Sequence, residues 1–266
     1  MLGDVAEEQG VPFIPIVRSL LVLPSNLAEP ARPSWSERLY QTIVHELGHT
    51  FGLQHSWASG TMSTEITRAT TKGSPLGADD VAGVSVLYPA RNFRGPTATI
   101  SGRVFRAGVG AGVPLASVVA FSPTGDAVSV LTGPDGRYLM EGLKPGSYYL
   151  YVHPLPPSLQ GEPQPVNLDL PLGPDGPVQP GGAFNLVFYP GTAQPEMAVE
   201  AKAGQQVEPV DFWVTSRDRV NLHSVQTYRF FGQQAVKPAF FHPGQTSASM
   251  ILFGYGMSAQ TGPVAG

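Results

Sequence analysis

The sequence lacks cysteine and is poor in charge, and each absence removes classes of protein from consideration. With 0 cysteines in 266 residues, disulfide bridges and zinc sites built on thiolates are excluded. Charged residues amount to 14% and the formal net charge is -4. No segment carries a basic cluster, so the composition indicates no nucleic-acid partner and no anionic membrane surface. We expect protein or peptide partners, and a glycan or cell-surface ligand is a further hypothesis.

Long apolar runs are also absent. The apolar stretch from Val11 to Leu23 is interrupted by Pro15 and Arg18, and it is shorter than the roughly 20 residues that a membrane-spanning helix needs. We therefore predict no transmembrane segment and interpret this stretch as one or two β-strands. Met1 to Gly10 contains acidic but no basic side chains, so we expect any export signal to lie outside this sequence.

Glycine and proline are abundant instead. The chain has 31 Gly and 27 Pro, nearly double their usual combined share of about 12%. This composition favours turns and short strands over long helices. The length is sufficient for two or three domains. Helical periodicity is confined to residues 34–55 and about 77–88.

The first of these segments is predicted to be one amphipathic helix. Ser34 followed by Glu37 fits the capping box, in which two side chains satisfy free backbone N–H groups. Gly52 is suited to end the helix. Four apolar residues recur at intervals of four and form a single stripe: Leu39, Ile43, Leu47 and Phe51.

The second segment is predicted to be a shorter helix that Pro89 ends. Asp79 and Asp80 lie near its start, where carboxylates suit the positive end of the helix dipole. We expect its apolar side chains to be buried: Val81, Val84, Leu87 and Tyr88.

Three histidines and a glutamate have the spacing of a catalytic zinc site. The pattern is His45-Glu46-x-x-His49-x-x-Gly52-x-x-His55. Residues four apart project from the same face of a helix, so the imidazoles of His45 and His49 can reach one metal ion. His55 can join them only if the chain turns, and Gly52 tolerates the positive φ of such a turn. The alternative is a helix whose histidines are merely solvated or packed in a core.

Glu46 directly follows the first predicted ligand and is the predicted general base. A catalytic zinc site has three protein ligands and leaves the fourth position to water, whose pKa the ion lowers towards about 7. Glu46 then takes a proton as the water attacks a peptide carbonyl, and it can return that proton to the leaving amine.

These residues resemble the metzincin clan of zinc metallopeptidases, and within it the matrixins. Residues 45–56, HELGHTFGLQHS, are close to the matrixin form, and residues 76–89, LGADDVAGVSVLYP, resemble the C-terminal helix of these enzymes. The resemblance implies that Met62 forms a Met-turn, a packing floor below the zinc ion. It also implies a structural and not a catalytic role for Asp79 and Asp80.

From Thr97 onward the apolar pattern has a period of two and turn signals recur, as in an antiparallel sandwich. Ala127 to Leu131, the turn at Asp135-Gly136 and the return through Tyr138 predict a hairpin. Alternation also predicts a strand with one buried face, containing Tyr148, Leu150 and Val152.

Residues 97–153 resemble the carboxypeptidase regulatory-like domain, a transthyretin-like sandwich. The matching segments are residues 100–104 (ISGRV), 133–138 (GPDGRY) and 142–148 (GLKPGSY). The resemblance implies the fold and gives this region no catalytic role. Phe212 and Trp213 are predicted to complete the same sandwich.

We therefore predict an α+β region followed by all-β modules. Residues 1–94 form a partial matrixin-like domain with zinc helix, Met-turn and C-terminal helix. Residues 95–216 form the regulatory-like sandwich with a Pro-rich insertion at 154–182. Residues 217–266 form an incomplete β or immunoglobulin-like segment. Only 44 residues precede His45, too few for the twisted sheet that matrixins place before this helix, so we expect a fragment of that domain.

The leading hypothesis is a zinc-dependent metalloendopeptidase, exported from a bacterium and held outside the cell or at its surface by the sandwich modules. The rival is a surface adhesion or scaffold protein with a vestigial, zinc-binding protease region. Retention of Glu46 favours the enzyme, because a non-catalytic zinc site has no use for a base. A third hypothesis, a purely structural zinc site, requires a fourth protein ligand, for which Glu65 or Asp79 would be the candidates.

Overall fold

The structure is a computed structural model. It describes the following residues: 6–8, 11–13, 16–22, 35–56, 58–63, 70–155, 168, 170–173, 176–217, 221–228, 235–236 and 250–255. Its helices are α1 (Trp35–Thr50) and α2 (Ala78–Leu87). Within these ranges, neither helix has the length and apolar character needed to cross a membrane.

The strands are short, as the glycine and proline content predicts. In chain order they are β1 (Ala6–Glu8), β2 (Val11–Phe13), β3 (Ala98–Arg106), β4 (Ser117–Phe121), β5 (Ala127–Leu131), β6 (Arg137–Leu143), β7 (Gly146–His153), β8 (Leu172–Gly173), β9 (Gly176–Pro177), β10 (Val187–Phe188), β11 (Val199–Ala201), β12 (Gln206–Val207), β13 (Phe212–Val214), β14 (Asn221–Tyr228), β15 (Ala235–Val236) and β16 (Met250–Tyr255).

Helix α1 ends at the predicted glycine. Gly52 has φ +93°, and the N–H of Leu53 donates to the Gly48 carbonyl at 3.1 Å while the N–H of Gly52 donates to the His49 carbonyl at 3.0 Å. This pair of bonds is the Schellman motif, which requires a residue that adopts the left-handed conformation. The turn that the third histidine needs is therefore present.

The apolar stripe of α1 is only partly covered. Leu47 is 42% and Phe51 50% exposed, whereas Met62 beneath the helix is 2% exposed. Ser34, half of the predicted capping box, lies outside the described residues. The Glu37 carboxylate accepts a hydrogen bond from the backbone N–H of Lys72.

Helix α2 has nearly the predicted bounds, but the expectation of its buried face was wrong. Val81 is 51% and Leu87 49% exposed, while Asp80 and Ala82 are 3% exposed. Asp80 is buried because backbone N–H groups surround its carboxylate, which compensates the loss of water. The helix turns its small and acidic side inward and its branched apolar side outward.

Residues 98–214 form the predicted β-sandwich. The first sheet has the strand order β10-β7-β4-β5, with β11 also paired to β7. The second has the order β12-β3-β13, with β6 also paired to β3. In β7 the inward residues Tyr148, Leu150 and Val152 are buried and those between them are half-buried, as the alternation predicts.

The predicted hairpin between β5 and β6 was wrong. Strand β5 pairs with β4 in the first sheet, and β6 pairs with β3 in the second. The chain crosses between the sheets after Leu131, so that Val128 and Met140 enter the core between the two layers from opposite sides. The turn at Asp135-Gly136 is compatible with a connection between two sheets as well as with a hairpin.

The sandwich is antiparallel except at two pairs, where β12 and β13 run parallel to β3. Parallel neighbours need a long connection, here residues 107–205 between β3 and β12. Phe212 of β13 is 1% exposed and belongs to the sandwich core. The prediction that this segment completes the sandwich is confirmed.

The ends of the chain form small separate sheets. Strands β1 and β2 pair with each other, but Ile16 to Val22 form no strand, so the apolar run contributes one short strand and not two. Strands β15, β14 and β16 form a three-stranded antiparallel sheet. Within the proline-rich insertion, β8 and β9 pair with each other.

Helix α2 lies on the sandwich and contributes to its core. Ala82 belongs to the same buried cluster as Ile100, Leu143 and the other sandwich core residues. Gly142 of β6 allows this approach, because a β-carbon there would lie 3.1 Å from that of Ala82. The helical region and the sandwich are thus joined by direct packing at α2.

Candidate metal centre

The three predicted ligands meet at one point. The ring centroids of His45, His49 and His55 are separated by 4.8, 5.0 and 4.8 Å, and one ligand atom from each ring lies within 4.8 Å of the others. The Nε2 atoms of His45 and His55 are 3.1 Å apart. Helix α1 supplies two of the rings, and the turn at Gly52 brings the third.

Two of the rings are oriented by backbone carbonyls. His45 Nδ1 donates to the Thr61 carbonyl at 2.7 Å, and His49 Nδ1 donates to the Leu53 carbonyl at 2.8 Å. A neutral imidazole that donates from Nδ1 carries its lone pair on Nε2, and this outer hydrogen bond is the usual support of a metal-binding histidine. The rings are therefore held in the form that coordinates a metal.

Met62 lies in the turn under the zinc helix. Its side chain is 2% exposed and packs on Gly48, where a β-carbon would overlap the Met62 sulfur. Its carbonyl accepts the N–H of Ser56 at 3.1 Å. Met62 thus supports the helix turn between the first two histidines and the backbone next to the third, which is the packing role expected of a Met-turn.

Asp80 fixes this turn in space. Its carboxylate accepts the backbone N–H groups of Thr61 at 2.6 Å, Met62 at 2.9 Å and Gly77 at 2.7 Å. Bonds from N–H groups to a buried carboxylate are about twice as strong as neutral ones. Because the carbonyl of Thr61 holds the first imidazole, Asp80 supports His45 through one intervening residue.

Asp79 bonds to the sandwich and is not among the side chains that converge at the metal centre. Its carboxylate accepts the N–H of Ser129 at 2.6 Å and the Ser129 hydroxyl at 3.3 Å, and the Ser56 side chain lies near enough to lower its pKa. Burial raises the pKa of this carboxyl above its ordinary value, against the opposing effect of these hydrogen bonds. The structural role expected of Asp79 therefore has a specific partner in β5, which nothing in the spacing of the sequence reveals.

The hypothesis of a closed four-ligand site gains no support from Asp79, which is engaged elsewhere. Among the described residues, the group of side chains able to hold a metal consists of His45, His49 and His55. The other candidate, Glu65, lies outside the described residues.

Leu53 is a further residue of the centre that spacing did not single out. Its carbonyl orients His49, and its side chain reaches α2, where a β-carbon at Gly83 would lie 2.9 Å from Leu53 Cδ2. Its place directly after the helix-ending Gly52 is the signal that could have identified it.

Glu46, the predicted base, is half-buried on α1 between the two helical ligands.

The donor set fits a zinc ion. With Zn–N bonds of about 2.0–2.1 Å and tetrahedral angles, two ligand nitrogens lie roughly 3.3 Å apart. The separation of the Nε2 atoms of His45 and His55 is 3.1 Å. Three imidazoles without thiolates are a ligand set that catalytic zinc sites use.

Two imidazoles on one helix, a third after a glycine turn and a buried methionine below them form the arrangement that the resemblance to metzincins implies. Comparison with family models agrees: residues 29–89 match the matrixin family and residues 99–162 match the carboxypeptidase regulatory-like domain. The chain therefore carries a matrixin region followed by a regulatory-like domain. Matrixins are a family of metallopeptidases. Both predicted resemblances are confirmed.

Comparison with individual proteins adds little. No curated protein matches the chain. A solved structure that matches is fervidolysin from Fervidobacterium pennivorans, a keratinolytic enzyme related to subtilisin, at 19% identity and a TM-score of 0.25. The match covers 55% of this chain and 20% of that one, so the present chain spans about a fifth of its length. A likeness at this TM-score defines neither fold nor activity.

Proposed function

We propose that this protein is a zinc-dependent metalloendopeptidase whose metal is held by His45, His49 and His55. The observation that carries the proposal is the convergence of the three imidazoles, with two Nδ1 atoms bonded to backbone carbonyls. Such anchoring is expected where Nε2 must meet a metal. Histidines placed only for packing would not need a shared orientation.

The chemistry follows from the residues around this point. Zinc bound there supplies a Lewis acid that makes water more acidic and polarises a peptide carbonyl. Glu46 accepts the proton of the attacking water and delivers it to the amine of the departing peptide. His45 and His49 can present Nε2 to the metal, because their Nδ1 atoms donate to the carbonyls of Thr61 and Leu53.

The proposal includes a cellular location, a substrate class and a role for the β-modules. We assign the protein to the outside of a bacterial cell, free or at the cell surface, with protein or peptide substrates and with the sandwich holding the peptidase near them. The absence of cysteine and basic clusters is compatible with this assignment. A glycan or cell-surface ligand for the sandwich belongs to the same proposal.

The test is metal content and peptide hydrolysis measured on the same preparation. The purified chain, loaded with zinc and freed of excess, should contain one zinc per chain and should cleave an unfolded protein such as casein. Glu46→Gln preserves the size of the side chain but removes the base, so it should retain the zinc and lose activity by at least about 100-fold. His49→Ala should lose both.

Two results would count against the enzyme. Zinc bound at one per chain with no hydrolysis by wild type or Glu46→Gln would support the rival, a surface protein with a vestigial protease region. Hydrolysis that persists unchanged in Glu46→Gln would show that the activity comes from another source.

A further inference from the structure

Each of the three ligands is connected to helix α2. His45 is held through Thr61, whose N–H bonds to Asp80. His49 is held through Leu53, whose side chain packs on Gly83. Ser56, the residue after His55, lines the same cavity as Asp79, and its side chain lowers the pKa of the Asp79 carboxyl. Helix α2 is therefore the common support of the metal centre.

Helix α2 is in turn fixed on the sandwich. Strand β5 is the outermost strand of the first sheet, and an edge strand presents N–H groups that its sheet does not use. Asp79 accepts one of these, the N–H of Ser129, at 2.6 Å. The carboxylate that lies beside Ser56 at the metal centre thus bonds to the edge of the sandwich.

Apolar packing beside this link is incomplete. A cavity of about 430 Å³ lies between α2 and strands β5 and β6, and its lining includes His55, Asp79, Leu87 and Leu139. Where facing surfaces leave such a space, fewer van der Waals contacts join them. The hydrogen bonds of Asp79 therefore carry a larger share of the connection here than at the close contact of Ala82 with Gly142.

We propose that Asp79 is a positioning residue through which the regulatory-like sandwich holds residues 53–56, the His55 segment, at the metal centre. The sandwich is then part of the support of the site and not only a tether. This inference rests on the proposed function, in that the segment it positions is the third zinc ligand. It adds a residue of β5, Ser129, to the groups on which the metal affinity depends.

The matched comparison is between Asp79→Ala and Asp211→Ala. Asp211 also accepts a backbone N–H, that of Arg103, at 2.8 Å, but this bond lies within the second sheet, between β3 and the residue preceding β13. Both variants lose one carboxylate bonded to a strand N–H. They differ in whether that carboxylate also reaches the metal centre.

The first measurement is the zinc dissociation constant, by competition with a chromophoric chelator, together with the absorption spectrum of the Co²⁺-loaded chain. Outer residues that orient metal ligands change metal affinity by about 10- to 100-fold. Asp79→Ala should weaken zinc binding by that factor and alter the Co²⁺ spectrum, while Asp211→Ala should stay within about twofold of wild type. Asp79→Asn, which keeps an acceptor oxygen for Ser129, should recover part of the loss.

The second measurement is amide hydrogen exchange of the metal-free chain. The N–H of Ser56 is bonded to the Met62 carbonyl, and it should exchange at least about tenfold faster in Asp79→Ala and unchanged in Asp211→Ala. If Asp79→Ala fails to fold, Ser56→Ala breaks the link from the other end and should give the same faster exchange of residues 53–56, while the amide of Ser129 remains protected.

Unchanged zinc affinity, Co²⁺ spectrum and Ser56 exchange in Asp79→Ala would overturn the inference, and so would equal effects from Asp211→Ala. A wild-type chain that binds no zinc would overturn the proposed function instead. The exchange comparison, made without metal, would still decide whether Asp79 couples the sandwich to the His55 segment.

Discussion

Gly142 of β6 lies directly against Ala82 of α2, so closely that a β-carbon added to Gly142 would be 3.1 Å from the Cα and Cβ atoms of Ala82. Gly142 also has φ +77°, a left-handed conformation that disfavours side chains. The absence of a side chain at this position is thus what allows helix α2 to pack on the sandwich.

Replacement of Gly142 by Ala should therefore lower the free energy of unfolding for two reasons, strain and contact. Gly108 separates them, because it has φ +81° and nothing within 4 Å of a β-carbon. We expect Gly108→Ala to cost about 1 kcal/mol, and Gly142→Ala to cost roughly 1–3 kcal/mol more. Urea unfolding of both variants measures the difference. Equal losses would mean that α2 does not press on this strand.

Asp80 should be among the costliest residues to truncate. Asp80→Ala removes the acceptor of three backbone N–H groups, and each buried unsatisfied donor costs about 1–3 kcal/mol. We expect a loss of at least about 3 kcal/mol in the free energy of unfolding. Asp126→Ala is the control, since its 3.0 Å ion pair with Lys144 is solvent-exposed and is worth at most about 1 kcal/mol. Similar losses in the two variants would contradict the assigned role.

Gly48 and Met62 should show strong coupling in a double-mutant cycle. Gly to Ala within a helix ordinarily stabilises by about 0.5–1 kcal/mol, but here the new methyl group would overlap the Met62 sulfur. We expect Gly48→Ala to destabilise the metal-free chain, and to become neutral or stabilising once Met62→Ala has made space. Thermal unfolding of the four proteins gives the coupling energy, and additive effects would show that the two residues do not touch.

His153 should make the protein sensitive to mild acid. Burial lowers the pKa of this imidazole below its ordinary value of 6.5, against the opposing effect of the bond that Nδ1 donates to the Pro154 carbonyl. The unfolded chain then binds the proton more tightly, so the stability associated with neutral His153 is complete above pH 6.5 and is lost as the pH falls through the lowered folded pKa.

The test compares wild type with His153→Gln by urea unfolding from about pH 7.5 to about pH 5. The difference in free energy of unfolding should be constant at the upper end and should shift in favour of the variant below pH 6.5, the ordinary pKa of the group. Parallel pH profiles would refute the prediction. His153 ends strand β7 and is half-buried there.

The metal centre was predictable because its geometry is local. A spacing of four residues places His45 and His49 on one face of a helix whatever surrounds it, and Gly52 specifies the turn that returns His55. The strands of the sandwich were predictable for the same reason, since alternation of buried residues such as Leu150 and Val152 is a property of the strand itself.

The predictions that failed concern features that depend on how distant parts of the chain pack together. The turn at Asp135-Gly136 is compatible with a hairpin and with a crossing between sheets, and only the completed core decides between them. The buried side of α2 depends on N–H groups of Thr61 and Met62, which lie far back in the chain. The bond from Ser129 to Asp79 exists because β5 is an edge strand, a property of the sheet order and not of any residue.

The contribution of Ala82 to the sandwich core has a practical consequence for protein engineering. A boundary drawn between the two family regions, near residue 94, cuts through one hydrophobic cluster, because that cluster contains residues from both sides. The sandwich transplanted to another protein without residues 78–87 would expose a hollow where Ala82 had been. The grafted module would have to include this helix, even though the helix belongs by sequence to the matrixin region.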